Sequence, residues 1–400
     1  MLVPLVTALI LVACPQAGSD LRVRAEQLAR TGRTVEAIEL FKQVVDKDPA
    51  DTEARLWIAR LDLRLGKTAQ AEAGFRAVLA EHPADVDAKI GLGNTLLRKG
   101  AVDDALAVLS SAEPEAGQNA DLFSALGRAY RRAGDDPHAL EYFTRARTLA
   151  PGDPDVVQGY EALVLAYGHS ITFEGFIDSD TTGVRSSYGS LVGSVRVVPR
   201  LSLGANARFR RRTGTSDALG GGGFVWRVAR ATNLSFSALV GDGNTVLPTS
   251  DVFGDITHYV GAYEIGGMVR RLSFSGVNVA AFSPVFAWDP GPTRFDVRYT
   301  YSQSTFSDSG ESPGDHSVFV RETWRRWRRA SVNVAYAYGI ESFEDLTVDR
   351  IGSLGASTLA LGARFTAPSL TMIATTWEHQ WRSNSTALDR FTVGIVQFFP

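Results

Sequence analysis

Cysteine is almost absent: Cys14 is the only one in 400 residues, so no disulfide can close within the chain. Lysine is scarce and confined. All five lysines (Lys42, Lys47, Lys67, Lys89, Lys99) lie in the first hundred residues, and arginine supplies the positive charge thereafter. The formal net charge is −3 and the pI is about 6.1, which argues against a nucleic-acid partner. Beyond the N-terminus no run of 18 or more apolar residues occurs, so a helical membrane protein is excluded. A transmembrane β-barrel escapes that test, because its strands are only half apolar. The six histidines are scattered without metal-ligand spacing. Asp178, Asp180 and Thr182 begin like a calcium loop, but Gly189 stands where the closing Glu belongs. Gly220 to Gly223 precede no helical pattern and make no phosphate loop. Pairing Ser190 or Ser194 with His258 or His379 has no motif behind it. No enzyme, cofactor or metal site is expected.

What is present divides the chain. Aromatics, Gly, Ser and Thr gather in the second half, placing a boundary after residue 150. Residues 2–12 are almost wholly apolar, too short to span a bilayer, and fit a signal-peptide core within residues 1–17. Leu11-Val12-Ala13-Cys14 resembles a lipobox, which makes Cys14 a lipidation candidate. Ordinary cleavage near Ala13 or Ala17 is the alternative, and both export the chain.

A period of 34 residues runs through the first half. Gly32, Gly66, Gly100 and Gly134 keep it, as do Ala37, Ala71, Ala105 and Ala139, and Phe41, Phe75, Leu109 and Phe143. Pro49, Pro83 and Pro151 form a fourth column, with Gly117 in the third repeat. A further small position holds Ala25, Ala59, Gly93 and Gly127. These columns resemble the tetratricopeptide repeat: four repeats and a capping helix over residues 18–168, forming an α-solenoid. The Gly ends the first helix of each pair, the small residue lets the helices approach, the Phe or Leu fills the gap, and the Pro stops the second helix. Asp62 interrupts the apolar column of repeat two. Stacked repeats offer a groove for a protein partner. Arg30, Arg64, Arg98 and Arg132 recur at one position, either as a basic ladder for an acidic partner or as solvated helix ends favoured by the dipole.

From His169 the period becomes two. Leu201, Leu203, Ala205, Ala207 and Phe209 alternate with polar residues, as do Phe295, Val297, Tyr299 and Tyr301, and Val332, Val334, Tyr336 and Tyr338. Links between these runs alternate in length. The short ones are 199–200, 230–233, 270–271, 289–292, 325–329 and 367–368, with a tight turn needed near Ser283-Pro284. The long ones are 178–185, 213–221, 241–255, 305–315, 341–349 and 382–389. That is the pattern of an antiparallel transmembrane β-barrel over residues 169–400, with about fourteen strands or else twelve. The fold class is thus α + β in two domains. Short turns carry arginines (Arg200, Arg230, Arg270, Arg271, Arg325) and long loops carry acids (Asp178, Asp217, Asp242, Asp251, Asp255, Asp308, Glu341, Glu344, Asp345), which are able to share divalent cations with lipopolysaccharide. Trp324, Trp327, Trp377 and Trp381 fall near strand ends, as interfacial girdles do.

The polar face supplies lumen candidates: Arg196, Asn206, Arg208, Arg210, Arg227, Arg294, Asp296, Arg298 and Glu378, with Asn333 and Arg382. Few acids fall there beyond Glu174, Asp296 and Glu378, so a mostly cationic, anion-preferring constriction is expected. The final stretch from Phe391 to Phe399 resembles the C-terminal signal of outer-membrane barrels, although Gln397 and Pro400 depart from it. Repeats, barrel and aromatic end together resemble the YaiO-type outer-membrane family and, more distantly, polysaccharide export porins. The resemblance implies an outer-membrane location with periplasmic repeats, docking of a periplasmic protein, contact with membrane lipid and lipopolysaccharide, and export or surface assembly of a polysaccharide. The rival is a non-conducting scaffold whose barrel is filled by Arg–carboxylate pairs and anchors the repeats.

Overall fold

The computed structural model describes residues 16–229, 231–340, 355–383 and 385–400. Residues 1–15, with Cys14 and most of the expected signal segment, Arg230, and the link holding Glu341, Glu344 and Asp345 lie outside the described residues. Among the described residues the helices precede the strands, and the chain divides into two compact units between Leu163 and Val164.

The first unit is built from paired helices: α1 (Gln16–Arg30) with α2 (Thr34–Lys47), α3 (Thr52–Arg64) with α4 (Thr68–Glu81), α5 (Val86–Lys99) with α6 (Val102–Ser110) and the short α7 (Glu113–Ala116), and α8 (Ala120–Ala133) with α9 (Asp136–Leu149). The capping helix α10 (Pro154–Tyr167) follows. The 34-residue columns do the work their chemistry allows. Gly32, Gly66, Gly100 and Gly134 have φ of +82°, +80°, +82° and +81°, the left-handed turn that ends each first helix. Ala37, Ala71, Ala105 and Ala139 are fully buried, and so are Phe41, Phe75 and Leu109. Phe143 packs on both sides at once: a Cβ on Gly127 would lie 2.7 Å from its ring, and one on Gly159 of α10 would lie 2.3 Å away. The third pair departs because Pro114 cannot continue a helix already running, so α6 stops at Ser110 and Pro114 falls in the first turn of the one-turn α7.

A further column, not anticipated from the sequence, keeps the same period. Asp51, Asp85, Asn119 and Asp153 each accept a backbone N–H three residues on (from Ala54, Ala88, Leu122 and Val156, at 2.8–3.0 Å) and so cap α3, α5, α8 and α10.

The second unit is a closed antiparallel barrel of fourteen strands in sequence order, with β1 (His169–Asp180) paired to β14 (Ala387–Phe399). Between them lie β2 (Arg185–Val198), β3 (Leu201–Arg212), β4 (Thr215–Ala229), β5 (Thr232–Val240), β6 (Ser250–Val260), β7 (Tyr263–Phe274), β8 (Val277–Trp288), β9 (Thr293–Phe306), β10 (Gly314–Trp327), β11 (Ala330–Ile340), β12 (Gly355–Thr366) and β13 (Thr371–Arg382). The register keeps one alternation around the whole ring. Phe173, Ile177, Leu203, Phe209, Phe236, Val297, Tyr336, Leu361 and Phe391 face outward and are exposed, whereas their polar neighbours face inward. A sheet with both faces in water would not leave such a belt bare. Trp377, Trp381 and Trp327 are also exposed on the outer side.

Several link positions differ from the sequence expectation. Arg270 and Arg271 are not a turn but lie within β7, and Ser283-Pro284 lie within β8; the chain turns instead at 261–262 and 275–276. Paired arginines resemble turn composition, yet Arg270 is an interior ion-pair partner. Pro284 donates no backbone hydrogen bond, so the β8–β9 ladder skips from Phe282 to Val285. Residues 215–221 belong to β4, not to a loop. Glycines are poor strand formers, but β5 demands one at Gly221, where a Cβ would meet the Ala238 carbonyl oxygen at 2.0 Å.

The repeat columns give a stability test. Gly127→Val should lower the thermal midpoint of the helical signal by an amount equivalent to about 1–3 kcal/mol of overpacking. Gly152→Ala, where a Cβ meets nothing within 4 Å, should leave it unmoved. Equal midpoints for the two variants would contradict the packing role of the small column.

Candidate functional site

The interior of the barrel is polar and charged, and many of its charges are gathered into ion-pair clusters. We call the end holding His169 and Phe399 the near end. Toward the far end, Asp178 of β1 accepts from Arg210 of β3 at 3.2 Å and from Arg390 of β14 at 3.5 Å, and also from the Ser186 hydroxyl. Arg390 reaches Glu378 of β13 at 3.4 Å as well. Phe176 lies beside the same two guanidiniums, whose carbons are 5.2 Å (Arg210) and 4.3 Å (Arg390) from its ring centre. A second cluster surrounds Asp251 of β6. Arg270 binds it with two nitrogens at 2.9 and 2.8 Å, and Arg208 reaches it from β3 at 2.6 Å. In a third, Arg294 of β9 bridges Glu264 (2.7 Å) and Asp296 (2.8 Å), and Arg321 takes the other oxygen of Asp296 at 3.1 Å.

The link after β5 turns back into this interior. One oxygen of Asp217 accepts the backbone N–H groups of Thr245, Val246 and Leu247, at 2.5–2.9 Å. Leu247 packs on the inward-facing Leu219 and Leu239, and Asn244 binds both the N–H and the carbonyl of Ala218. Beside it Leu272, Phe274, Val277 and Val279 form an apolar cluster with Phe306. The inward side chains of the far half are accordingly buried: Gln380 is 0% exposed, Asp251 1%, Arg210 and Arg390 2%. An open aqueous channel through that half would leave them wet.

The sequence-proposed lumen residues are distributed among these groups as follows. Arg208, Arg210, Arg294, Asp296 and Glu378 belong to the ion pairs. Asn206 and Arg298 face inward by register, Arg298 lying 5.1 Å over the Phe319 ring. Arg196 and Arg227 sit at the near end against the Tyr167 ring, at 4.7 and 4.4 Å. Asn333 and Arg382 also face inward. The expectation of few inward acids is corrected. Asp178, Asp217, Asp251 and Asp255, assigned from sequence to external loops, are strand residues facing inward, and Glu264 joins them. Dense polar residues in a strand facing an ionic interior have the composition of a loop, which is why period-two evidence was lost there. Ser190 faces inward while His258 and His379 face outward on Thr232 and Asp389, so no Ser–His pair forms between them. Among the described residues no group of three or more His, Cys, Asp or Glu is arranged to hold a metal ion. Asp180 instead accepts from Thr182 and Val184 in the β1–β2 turn.

In the repeat unit, two of the recurrent arginines are tied to the preceding pair. Arg64 donates to the Ala29 carbonyl at 2.8 Å, and Arg98 donates to that of Leu63. Arg30 and Arg132 are exposed. Further links between repeats run from Arg60 to Asp87 and from Lys99 to Glu72, while Arg55 and Glu81 tie the two helices of one pair, and hydrogen bonding to Lys99 holds the Glu72 carboxyl below the usual range. Burial and the Glu113 carboxylate push the Tyr142 phenol up to about 12.

Family models of the tetratricopeptide repeat match residues 28–78, 56–120 and 122–156. Similar solved structures include a thermophilic TPR protein of Thermus thermophilus, 26% identical, covering 37% of this chain and 82% of that one with a TM-score of 0.35. MamA of Desulfovibrio magneticus RS-1 is 23% identical, with coverage of 37% and 84% and a TM-score of 0.32. A tetratricopeptide repeat protein from Parabacteroides merdae ATCC 43184 is 17% identical, with coverage of 37% and 59% and a TM-score of 0.31. No curated protein matches the chain.

The matched interior is testable. Asp251→Ala strands two guanidiniums and should destabilise the barrel by about 3–5 kcal/mol, read as a lower urea midpoint for loss of the folded band on unboiled gels. Arg271→Ala, at an exposed outward position, should shift that midpoint by less than about 0.5 kcal/mol. A midpoint for Asp251→Ala as high as that of Arg271→Ala would show that the cluster contributes nothing.

Proposed function

We propose that the chain is an outer-membrane anchor that holds a tetratricopeptide docking array in the periplasm, and that its barrel does not conduct in the resting state. The exposed apolar belt of a closed barrel supports the membrane location. The repeat fold supports docking of a protein partner, since stacked repeats present a continuous surface and commonly bind proteins. The observation that carries the non-conducting reading is the burial of the inward side chains of the far half, among them Gln380, Asp251 and Arg390. A polysaccharide passing through that half would have to displace the inward link at 241–249 and part the clusters around Asp178 and Asp251. The scaffold therefore stands ahead of the export pore. The anion preference expected from a cationic constriction is withdrawn, because carboxylates match the guanidiniums.

Two measurements check this. The full chain should fractionate with the outer membrane and run as a compact band before boiling; recovery as a soluble periplasmic protein would refute the anchor. In planar bilayers the wild type should show no steady unitary conductance. Deleting residues 244–247 together with Asp217→Ala should produce openings. Steady wild-type conductance that a polysaccharide blocks would instead establish the export reading.

A further inference from the structure

At the far rim the outer wall of the barrel carries a recess of about 600 Å³, formed by β1, β2, β3, β13 and β14. Ile177, Phe391 and Trp377 lie side by side across it, each opposite the next in register. Arg211 closes the same row on β3, opposite Ser187, and Arg185 stands one step nearer the rim, opposite Ser179. The register turns both arginines outward, and both are exposed. Among the described residues neither makes an ion pair, in contrast to Arg208, Arg210, Arg270, Arg294 and Arg390 on the inner wall. Of the two carboxylates lining the recess, Asp389 is occupied by His379 at 2.8 Å and Asp178 turns inward to Arg210 and Arg390.

Toward mid-wall the surface changes character. Gly175 and Gly189 are direct partners on β1 and β2, and both face outward. A Cβ on Gly189 would meet nothing within 4 Å, so packing does not require glycine there. The Phe173 ring lies against Gly175, where a Cβ would meet it at 3.3 Å, and Gly189 beside it leaves an open apolar groove beneath the arginines, flanked by Phe209, its register partner on β3. Two unpaired guanidiniums above an apolar track suit a molecule with an anionic head and hydrocarbon tails. Guanidinium binds phosphate oxygens through paired hydrogen bonds, and the bond gains strength at the edge of a low-dielectric layer.

We propose that this recess docks a phosphate-bearing lipid of the leaflet around the far rim. Arg185 and Arg211 clamp the phosphate, and an acyl chain lies over Gly189 between the Phe173 and Phe209 rings. The inference rests on the barrel spanning a membrane, and its test separates the two. Full-length protein is refolded into vesicles of phosphatidylcholine with a minor fraction of phosphatidic acid, then extracted, and its retained lipid is counted by native mass spectrometry. Wild type should retain the phosphomonoester lipid about tenfold over its share of the vesicle, a preference of about 1.4 kcal/mol. Arg185→Gln/Arg211→Gln should abolish the enrichment while the unboiled-gel shift persists, and Gly189→Phe should reduce it with both arginines intact. Arg271→Gln, elsewhere on the outer wall, should retain wild-type enrichment. Normal folding without enrichment, or an Arg271→Gln loss equal to that of the double variant, overturns the docking site and leaves the membrane reading standing. Displacement of the lipid by millimolar inorganic phosphate overturns it too, by showing a phosphate site indifferent to the tail. Failure of the wild type to fold into any vesicle overturns the membrane reading itself.

Discussion

Pairing of β1 with β14 is the constraint on which the barrel depends. It removes both sheet edges, so every strand finds backbone partners on two sides. It also means that the alternation of faces must remain in phase around fourteen strands. One slip of a single residue would carry an arginine onto the outer wall and a phenylalanine into the interior. The interior charges then follow as a consequence, since each inward strand position holds its group close to groups on neighbouring strands. Asp178 is within reach of Arg390 because Arg390 is its register partner, and Arg321 is likewise placed opposite Asp296. Closure thus creates the ionic lattice, and the lattice fills the space that closure encloses.

Most of the architecture was legible in the sequence, for two different reasons. In the repeat unit, each column answers to one local packing requirement, so residue size alone reveals it. Gly93 and Gly127 stand where Leu109 and Phe143 leave no room for a Cβ. In the barrel, the outward row is legible because apolar residues such as Leu203, Phe236 and Val297 recur at every second position. The strand ends were less legible. Asp217 and Asp251 have loop composition and strand geometry, because the solvent they face is other side chains. Arg270-Arg271 looks like a turn when both charges are read as solvated, although β7 sends one to Asp251 and the other outward. The inward fold of residues 244–247 had no signal at all. It depends on one Asp217 oxygen and on two leucines from β4 and β5, which are contacts made only after the strands have assembled.

The repeat unit and the barrel solve burial of charge differently. Between repeats, Arg60–Asp87 and Lys99–Glu72 lie near solvent, where a pair contributes little and tolerates exchange. Within the barrel, Asp251 and Arg390 are almost fully enclosed, and either partner left alone would carry a large desolvation cost. The same chemistry therefore acts as a surface tie in one unit and as a condition of folding in the other.

That difference accounts for where lysine occurs. All five lysines fall in the repeats, and none in the barrel. The interior clusters ask one cation to satisfy several acceptors at fixed angles. Arg294 spans Glu264 and Asp296 with different nitrogens, Arg270 grips both oxygens of Asp251, and Arg390 joins Asp178 to Glu378. A planar guanidinium with five fixed donors does this while stacking on a ring, as Arg390 does on Phe176. An ammonium is a point charge, holds water more tightly and loses its proton more readily when buried. In a closed ring of strands there is no solvent to supply the missing donors, so the choice of arginine follows from the closure of the sheet.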